Sequence, residues 1–365
     1  MNEGSIKRHW SLTPATFIYR MVTGIRNKLF DWKILPSEEF DLPVISVGNL
    51  TVGGTGKTPH TEYLINLLKD KKRVALLSRG YKRKTKGFRL ASSHSTALEI
   101  GDEPYQIKTK FPNIHVAVDA DRRHGIHKLC TEEASKDVEV ILLDDAFQHR
   151  YVTPGVNIVL MDYNRPIYDD ALMPTGMLRE PASSLHRAHI VIVTKCPQDI
   201  KPIDFRIVAK NLELRPYQQL YFTTFIYGDL QSFMAPDKRK PLSSLTPNTH
   251  ILLVTGIASA DPLIAKLRQH TEQITHMEYG DHHDFTRSEL RDIKKKFESI
   301  TATEKIIITT EKDAARLSSY TLDEEVSSHL HILPIEVKFL QGQQEIFNNY
   351  ITDYVSKNSR NRIIH

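Results

Sequence analysis

The clearest chemistry in this sequence lies in Gly53-Gly54-Thr55-Gly56-Lys57-Thr58. Glycines let a backbone turn tightly enough for successive N–H groups to converge on one anion. The apolar run Pro43-Val44-Ile45-Ser46-Val47 precedes the loop, and Glu62, Tyr63, Leu64, Leu67 and Leu68 follow in a helical pattern. Strand, glycine loop, GK[ST] and helix is the order of a phosphate-binding P-loop, whose helix N-terminus adds partial positive charge. In such a loop Gly53, Gly54, Thr55 and Gly56 cradle a nucleoside triphosphate. Lys57 reaches its β- and γ-phosphates, and the Thr58 hydroxyl ligates Mg²⁺. Thr51 stands where the general pattern has its first glycine. The bland alternative is a glycine-rich turn without a ligand, and the Gly-Lys-Thr ending between strand and helix speaks against it.

A P-loop needs a carboxylate for its metal. Asp144-Asp145 closes the apolar run Val138 to Leu143, at the strand end where open parallel sheets bind ligands. Hard Mg²⁺ takes oxygen ligands and keeps waters, so one or two carboxylates suffice. Alone the pair could equally begin a turn; beside a P-loop it reads as a metal site. Asp102, in Gly101-Asp102-Glu103-Pro104, reads on spacing alone as a helix N-cap followed by an early acid. Arg79, Lys82, Arg83, Lys84, Lys86 and Arg89 form a basic segment, either a solvated loop or an anion contact. Only Tyr81 and Phe88 interleave it, which argues against a nucleic-acid partner. A GTPase would carry an NKxD base motif; the nearest run, Thr194-Lys195-Cys196-Pro197, lacks both the Asn and the Asp.

The elements that position these residues follow from periodicity. Apolar runs at 44–47, 73–78, 114–118, 138–143, 156–161 and 190–194 do not alternate with polar residues, as suits strands of a parallel sheet covered on both faces. Helical segments between them give an α/β fold. The aromatic run 221–227 alternates like a strand with one exposed face, and the polar stretch 236–248 reads as a linker. A second α/β pattern follows, with strands at 251–254, 306–308 and 332–337 and helices at 261–270, 287–300 and 343–356. The fold class is thus α/β: a P-loop NTPase-like parallel-sheet domain with a second, smaller α/β domain, divided at 1–225 and 226–365. With 365 residues, 40% hydrophobic and 25% charged, the chain has the composition for two such cores. Its net charge of +5 is compatible with anionic partners. Two cysteines without a CxxC pair indicate neither a disulfide framework nor a zinc site.

At the N-terminus Thr13-Pro14 reads as a helix cap, after which Phe17, Ile18, Met21, Val22, Ile25 and Leu29 recur at helical spacing. Arg20, Thr23, Asn27 and Lys28 occupy the other side. Such a helix covers the edge of a core or lies on a membrane surface with its apolar side in lipid. No apolar stretch is long enough to span a bilayer. The N-terminal one, broken by Arg20 and Arg26, does not read as a secretory signal.

Seven segments in order resemble the tetraacyldisaccharide 4'-kinase (lipid A kinase) family. They are Val47 to Pro59, Leu77-Ser78-Arg79-Gly80-Tyr81, Gly101-Asp102-Glu103-Pro104, Asp144-Asp145-Ala146-Phe147-Gln148-His149, Leu178-Arg179-Glu180-Pro181, Asp281-His282-His283-Asp284-Phe285 and Thr310-Glu311-Lys312-Asp313-Ala314. Ala146 departs from the glycine common in the family. The resemblance implies transfer of the ATP γ-phosphate, with Mg²⁺, to the 4'-hydroxyl of a tetraacyl glucosamine disaccharide 1-phosphate. It implies work at the cytoplasmic face of the bacterial inner membrane, as a peripheral protein on an anionic surface with no obligate protein partner. This tips the N-terminal helix toward the membrane. It further implies that Asp102 is the general base and His282 its partner, the two meeting across the domain cleft, which closure would complete. The histidine cluster could also be a metal site, a reading ranked lower because adjacent residues seldom chelate one ion alone. Arg179 and Glu180 are implied on the nucleotide side, and Arg79, Tyr81, Arg122 and His149 on the substrate side. The rival reading is a P-loop ATPase switch acting on a protein partner, which would need neither Asp102 nor an amphipathic helix.

Overall fold

A computed structural model describes residues 10–235, 237–281 and 283–359. The unbroken Val, Ile and Leu runs become strands covered on both faces. A nine-stranded sheet has the spatial order Ile335–Phe339, Gln219–Tyr227, Ile190–Thr194, Val156–Asp162, Val44–Asn49, Val140–Asp144, Val74–Ser78, His115–Val118, Arg89–Leu90. The edge strands at either end are antiparallel and everything between them runs parallel. The P-loop strand Val44–Asn49 lies between Val156–Asp162 and Val140–Asp144, with Val47 opposite Asp144. The strand ends that could hold a phosphate and its metal are therefore adjacent at the carboxyl edge.

A six-stranded sheet, ordered Arg239–Lys240, Leu230–Ser232, Leu330–Leu333, Lys305–Thr310, His250–Thr255, Ile274–Glu278, forms the second unit. Both of its faces carry a core: Leu253, Leu263 and Ile308 pack on one, and Val254, Phe297 and Ile307 on the other.

Several expectations need correction. The second unit does not run to the end of the chain. The run 332–337, read as a single strand, is cut by Pro334, which has no N–H to give a ladder. Leu330–Leu333 stays in the smaller sheet, while Ile335–Phe339 returns to pair with Gln219–Tyr227. The terminal helix Gln344–Ser359 then lays Phe347, Ile351 and Val355 into the core of the large sheet. The strand Gln219–Tyr227 has no exposed face, because the sheet is covered on both sides there: Tyr221 packs on Phe347 of the terminal helix and Phe222 on Phe205. The stretch 236–248 is no linker: Leu242 and Leu245 are buried in the second core. Ile274–Glu278 escaped notice because it is a half-buried edge strand. The first long helix, Thr13–Asp31, begins at Thr13 itself, with Leu12 in the cap position.

The return of the chain end gives a stability test. Phe347 is 1% exposed, and its ring centroid lies 4.6 Å from that of Phe339 and 5.3 Å from that of Tyr221. Phe347→Ala is expected to cost about 3–5 kcal/mol in denaturant unfolding. An unchanged midpoint would detach the terminal helix from the core.

Candidate active site

The loop is anchored from behind. Thr55 is fully buried while Gly53 and Gly54 are exposed. Asn49 Nδ2 donates to Thr55 Oγ1 at 2.9 Å, and Thr194 Oγ1 donates to the Thr55 carbonyl at 2.9 Å. Lys195 Nζ donates to the Gly54 carbonyl at 2.5 Å and pairs with Asp162 at 2.8 Å. The Thr55 N–H closes a tight turn onto the Gly53 carbonyl at 3.1 Å. Gly56 caps the helix Lys57–Leu68 with φ of 85°, and a Cβ there would meet Phe225 Cζ at 2.6 Å, so only glycine fits. Thr51 in place of glycine also has its reason. It is extended and bridges Leu178, flanked by Val52 N–H on the Met177 carbonyl (2.8 Å) and Arg179 N–H on the Leu50 carbonyl (2.7 Å).

That pairing brings Arg179 to the loop. Its Nη1 donates to Asp145 Oδ2 at 3.0 Å and Oδ1 at 3.1 Å, and Lys57 Nζ lies 3.5 Å from Asp145 Oδ1. Burial alone would raise the Asp145 pKa, but Lys57 and Arg179 together hold it below its ordinary value. Asp144 behaves differently. Burial first, and Asp145 second, push it up to about 6, with Lys57 pulling the other way. Ser78 Oγ donates to it at 3.2 Å. An under-neutralised carboxylate at the foot of a P-loop suits a hard cation. Thr58 lies in the first turn of the adjoining helix, half-buried.

Beyond strand His115–Val118, Arg122 begins the helix Arg122–Thr131; it is 3% exposed, and burial lowers its pKa to about 10, leaving it charged. Its Nη1 donates to the carbonyls of Asp119 (3.3 Å) and Ala120 (3.1 Å), while its Nε is buried without a hydrogen-bond partner. The Arg122 N–H donates to His149 Nε2 at 3.3 Å. Burial, and then Arg122, push the His149 pKa down to about 4, so the ring is neutral. Arg79 is exposed and near enough to Arg122 to lower its pKa further, and Tyr81 is 61% exposed. Arg83 of the basic segment folds back onto the Gly87 carbonyl at 2.6 Å and staples its own loop.

Asp102 opens the helix Asp102–Lys110. A Cβ on Gly101 would lie 2.9 Å from the Tyr81 carbonyl, so this glycine lets the Asp102 turn touch the loop after strand Val74–Ser78. Glu103 is close enough to raise the Asp144 pKa. From the second unit, Arg316 Nε donates to Asp102 Oδ2 at 3.2 Å. His282 lies outside the described residues. Of its described neighbours, Asp281 pairs with Lys312 (3.1 Å) and His283 with Glu289 (2.9 Å). Among the described residues no group of three or more metal-ligating side chains occurs. Glu180 is not brought to the loop. It is 2% exposed and forms a buried ion pair with Arg187, whose guanidinium lies 4.1 Å over the Phe147 ring.

The helix Thr13–Asp31 docks through its polar side. Tyr19 O–H donates to the Arg179 carbonyl at 2.8 Å, Thr16 and Thr175 share a hydrogen bond of 2.6 Å, and Arg26 reaches the Gln148 carbonyl at 3.1 Å. Phe17, Ile18, Met21, Val22 and Ile25 are exposed, Phe17 at 68%. No helix among the described residues is long and apolar enough to cross a membrane.

Comparison with known proteins gives the family. The sequence profile of the family described as Tetraacyldisaccharide-1-P 4'-kinase (LpxK) matches residues 8–355. The chain belongs to the tetraacyldisaccharide-1-P 4'-kinase family. Among curated relatives, the tetraacyldisaccharide 4'-kinase of Phocaeicola vulgatus is 55% identical over 362 residues, covering 99% of each chain. That of Porphyromonas gingivalis is 44% identical, covering 92% of this chain and 94% of its own. A solved structure of LpxK from Aquifex aeolicus in complex with ATP superposes with a TM-score of 0.74 at 28% identity, covering 94% of this chain and 98% of that one. The α/β, P-loop NTPase-like fold expected of the sequence is that of this family.

The residues that sequence reasoning missed are those behind the loop. Lys195 stood in view as part of the failed base motif. His60, four residues after Gly56, bonds the Gly56 carbonyl through Nδ1 (2.8 Å) and Thr223 Oγ1 through Nε2 (3.0 Å). Burial lowers its pKa to about 4. A histidine neutral in the fold and protonated when unfolded contributes stability above pH 6.5 that is lost as pH falls from there toward 4. The loss amounts to about 3 kcal/mol. Thermal unfolding of His60→Gln against the parent should show a difference that shrinks across that window. A constant difference would mean that His60 titrates in the fold as it does in the unfolded chain.

Proposed function

We propose that this chain transfers the γ-phosphoryl group of ATP to the 4'-hydroxyl of a tetraacyl glucosamine disaccharide 1-phosphate, a step in lipid A biosynthesis, with Asp102 as general base. The observation that carries the assignment of roles is the meeting, at one sheet edge, of an exposed glycine loop, the Lys57–Asp145–Arg179 chain and the glycine-hinged Asp102 turn. Phosphoryl transfer asks a protein chiefly to position groups and neutralise charge. Loop amides between Gly53 and Thr58 and the Lys57 ammonium take the β- and γ-phosphates, and Arg179, half-buried beside Lys57, takes a further phosphate oxygen. Asp144 and the Thr58 hydroxyl would hold Mg²⁺, with Asp145 behind them orienting Lys57 and Arg179. When bound, Mg²⁺ would offset the negative charge of the phosphate oxygens.

Asp102 accepts the proton of the acceptor hydroxyl as its oxygen attacks the γ-phosphorus and the bond to the β–γ bridging oxygen breaks to release ADP, and His282 keeps its family-derived role as partner of that carboxylate. Arg122, with an unsatisfied Nε–H, and Arg79 take the anionic 1-phosphate end of the acceptor, where neutral His149 adds a hydrogen bond and Tyr81 a flat surface for sugar. Glu180 has no part in nucleotide binding on this reading; it holds Arg187.

The exposed face of helix Thr13–Asp31 supports peripheral attachment to the cytoplasmic face of the inner membrane. A row of large apolar side chains in water is unfavourable by roughly 1.5–3 kcal/mol each, relieved when the row enters the headgroup boundary. Exposed Arg20 and Lys28 then sit near anionic headgroups.

With purified protein, radiolabelled ATP, Mg²⁺ and the disaccharide lipid, Lys57→Ala and Asp102→Ala should each lower kcat at least about 100-fold. Asp102→Ala should still bind ATP; an unchanged kcat in it would remove the base assignment. The triple variant Phe17→Ser, Ile18→Ser, Val22→Ser should lose at least about tenfold in vesicle co-sedimentation without a fall in melting temperature. Undiminished sedimentation would end the membrane reading of this helix.

A further inference from the structure

The Thr310-Glu311-Lys312-Asp313-Ala314 run has had no role so far. It caps and begins the helix Glu311–Leu317 of the second unit. This helix packs antiparallel against the Asp102–Lys110 helix of the first, with an ion pair at each end. At one end Arg316 meets Asp102; at the other Lys110 Nζ bridges Glu311 Oε1 (2.5 Å) and Glu62 Oε2 (2.6 Å). Beside them the hydroxyls of Tyr105 and Ser318 are 3.2 Å apart.

Arg316 is 4% exposed, and its charge is already met within its own unit. Its Nη1 lies 3.0 Å from Asp313 Oδ1 and donates to the Gly256 carbonyl at 3.2 Å. Asp313 is fully buried, held by the Thr310 hydroxyl (2.7 Å) and the Gly256 N–H (3.0 Å). A guanidinium locked this way presents its Nε edge in one fixed direction, across the unit boundary onto Asp102. Asp313 and the Gly256 carbonyl fix the guanidinium, so its contact with Asp102 is directional. The same helix also holds the histidine-bearing loop, through Lys312 to Asp281 at 3.1 Å.

We propose that Arg316 is a positioning residue for Asp102, supplied by the second sheet unit, which fixes the rotation of the base carboxylate toward the acceptor hydroxyl. This rests on the reading of Asp102 as base. The setting of the catalytic carboxylate then depends on how the two units sit together. Arg316 acts through Asp102 and touches no substrate.

The test is kinetic. Arg316→Lys keeps a charge opposite Asp313 but loses the planar fork; Arg316→Gln is the second variant, because a buried lysine can fail to fold, and melting curves identify which is folded. The folded variant should lose about 10- to 100-fold in kcat, the scale of a small misplacement of a reacting group, with KM for ATP within about twofold. In an Asp102→Asn background the same substitution should cost less than about threefold, since there is no base left to orient. Wild-type kcat in a folded Arg316 variant, or an equal loss in both backgrounds, would overturn the proposal. A slow Asp102→Asn beside an unaffected Arg316 variant removes the positioning role alone; a wild-type rate in Asp102→Asn removes the base and the positioning role together.

Discussion

A loop that offers its amide groups to an anion cannot also be held in place by them. This constraint governs the construction around residues 53 to 58. Apart from the Thr55 N–H, which closes onto Gly53, what fixes the loop does so through carbonyls, side chains or flanking residues. Lys195 and Thr194 grip the carbonyls of Gly54 and Thr55, His60 grips that of Gly56, and Asn49 grips the Thr55 hydroxyl. The flanking Leu50 and Val52 are zipped to the 177–179 segment. The parallel sheet makes this possible by setting strand ends Asn49, Asp144, Asp162 and Thr194 side by side.

From that anchoring the rest follows outward. Zipping the loop to residues 177–179 places Arg179 on Asp145, and the same segment receives the N-terminal helix through Tyr19, with Thr16 on nearby Thr175. The apolar face that this docking leaves exposed is therefore tied, through one short segment, to the phosphate site. On the other side, Gly101 tucks the Asp102 turn against the loop carrying Tyr81, and the second unit closes on Asp102 through Arg316. Nucleotide, acceptor and membrane elements meet at one sheet edge because each is anchored to a neighbouring strand end.

Much of this was legible in the sequence. Unbroken aliphatic runs identified the parallel strands, and the glycine-lysine-threonine run with its flanks identified the loop. Other features were not legible, for physical reasons. Pro334 splits one apolar run between two sheets, and only tertiary pairing reveals which half goes where. The burial of Leu242 and Leu245 inside a polar stretch depends on a core that the local pattern does not announce. Lys195, His60 and Arg316 are single polar residues, each with one partner far away in sequence, Gly54, Thr223 and Asp102 respectively, so spacing could not mark them. Glu180 sits in a matched motif, yet its neighbour Arg179 is the one turned toward the loop while Glu180 pairs with Arg187.

The central claim is that the loop amides and Lys57 hold the triphosphate tail while Asp102 meets the acceptor hydroxyl. A crystal structure with a non-hydrolysable ATP analogue, Mg²⁺ and the disaccharide lipid tests it most directly. The account predicts β- and γ-phosphate oxygens on the amides of residues 53 to 58, with an Asp102 oxygen about 3 Å from the 4'-hydroxyl. A triphosphate bound elsewhere, or a hydroxyl met by another side chain with Asp102 remote, would contradict it.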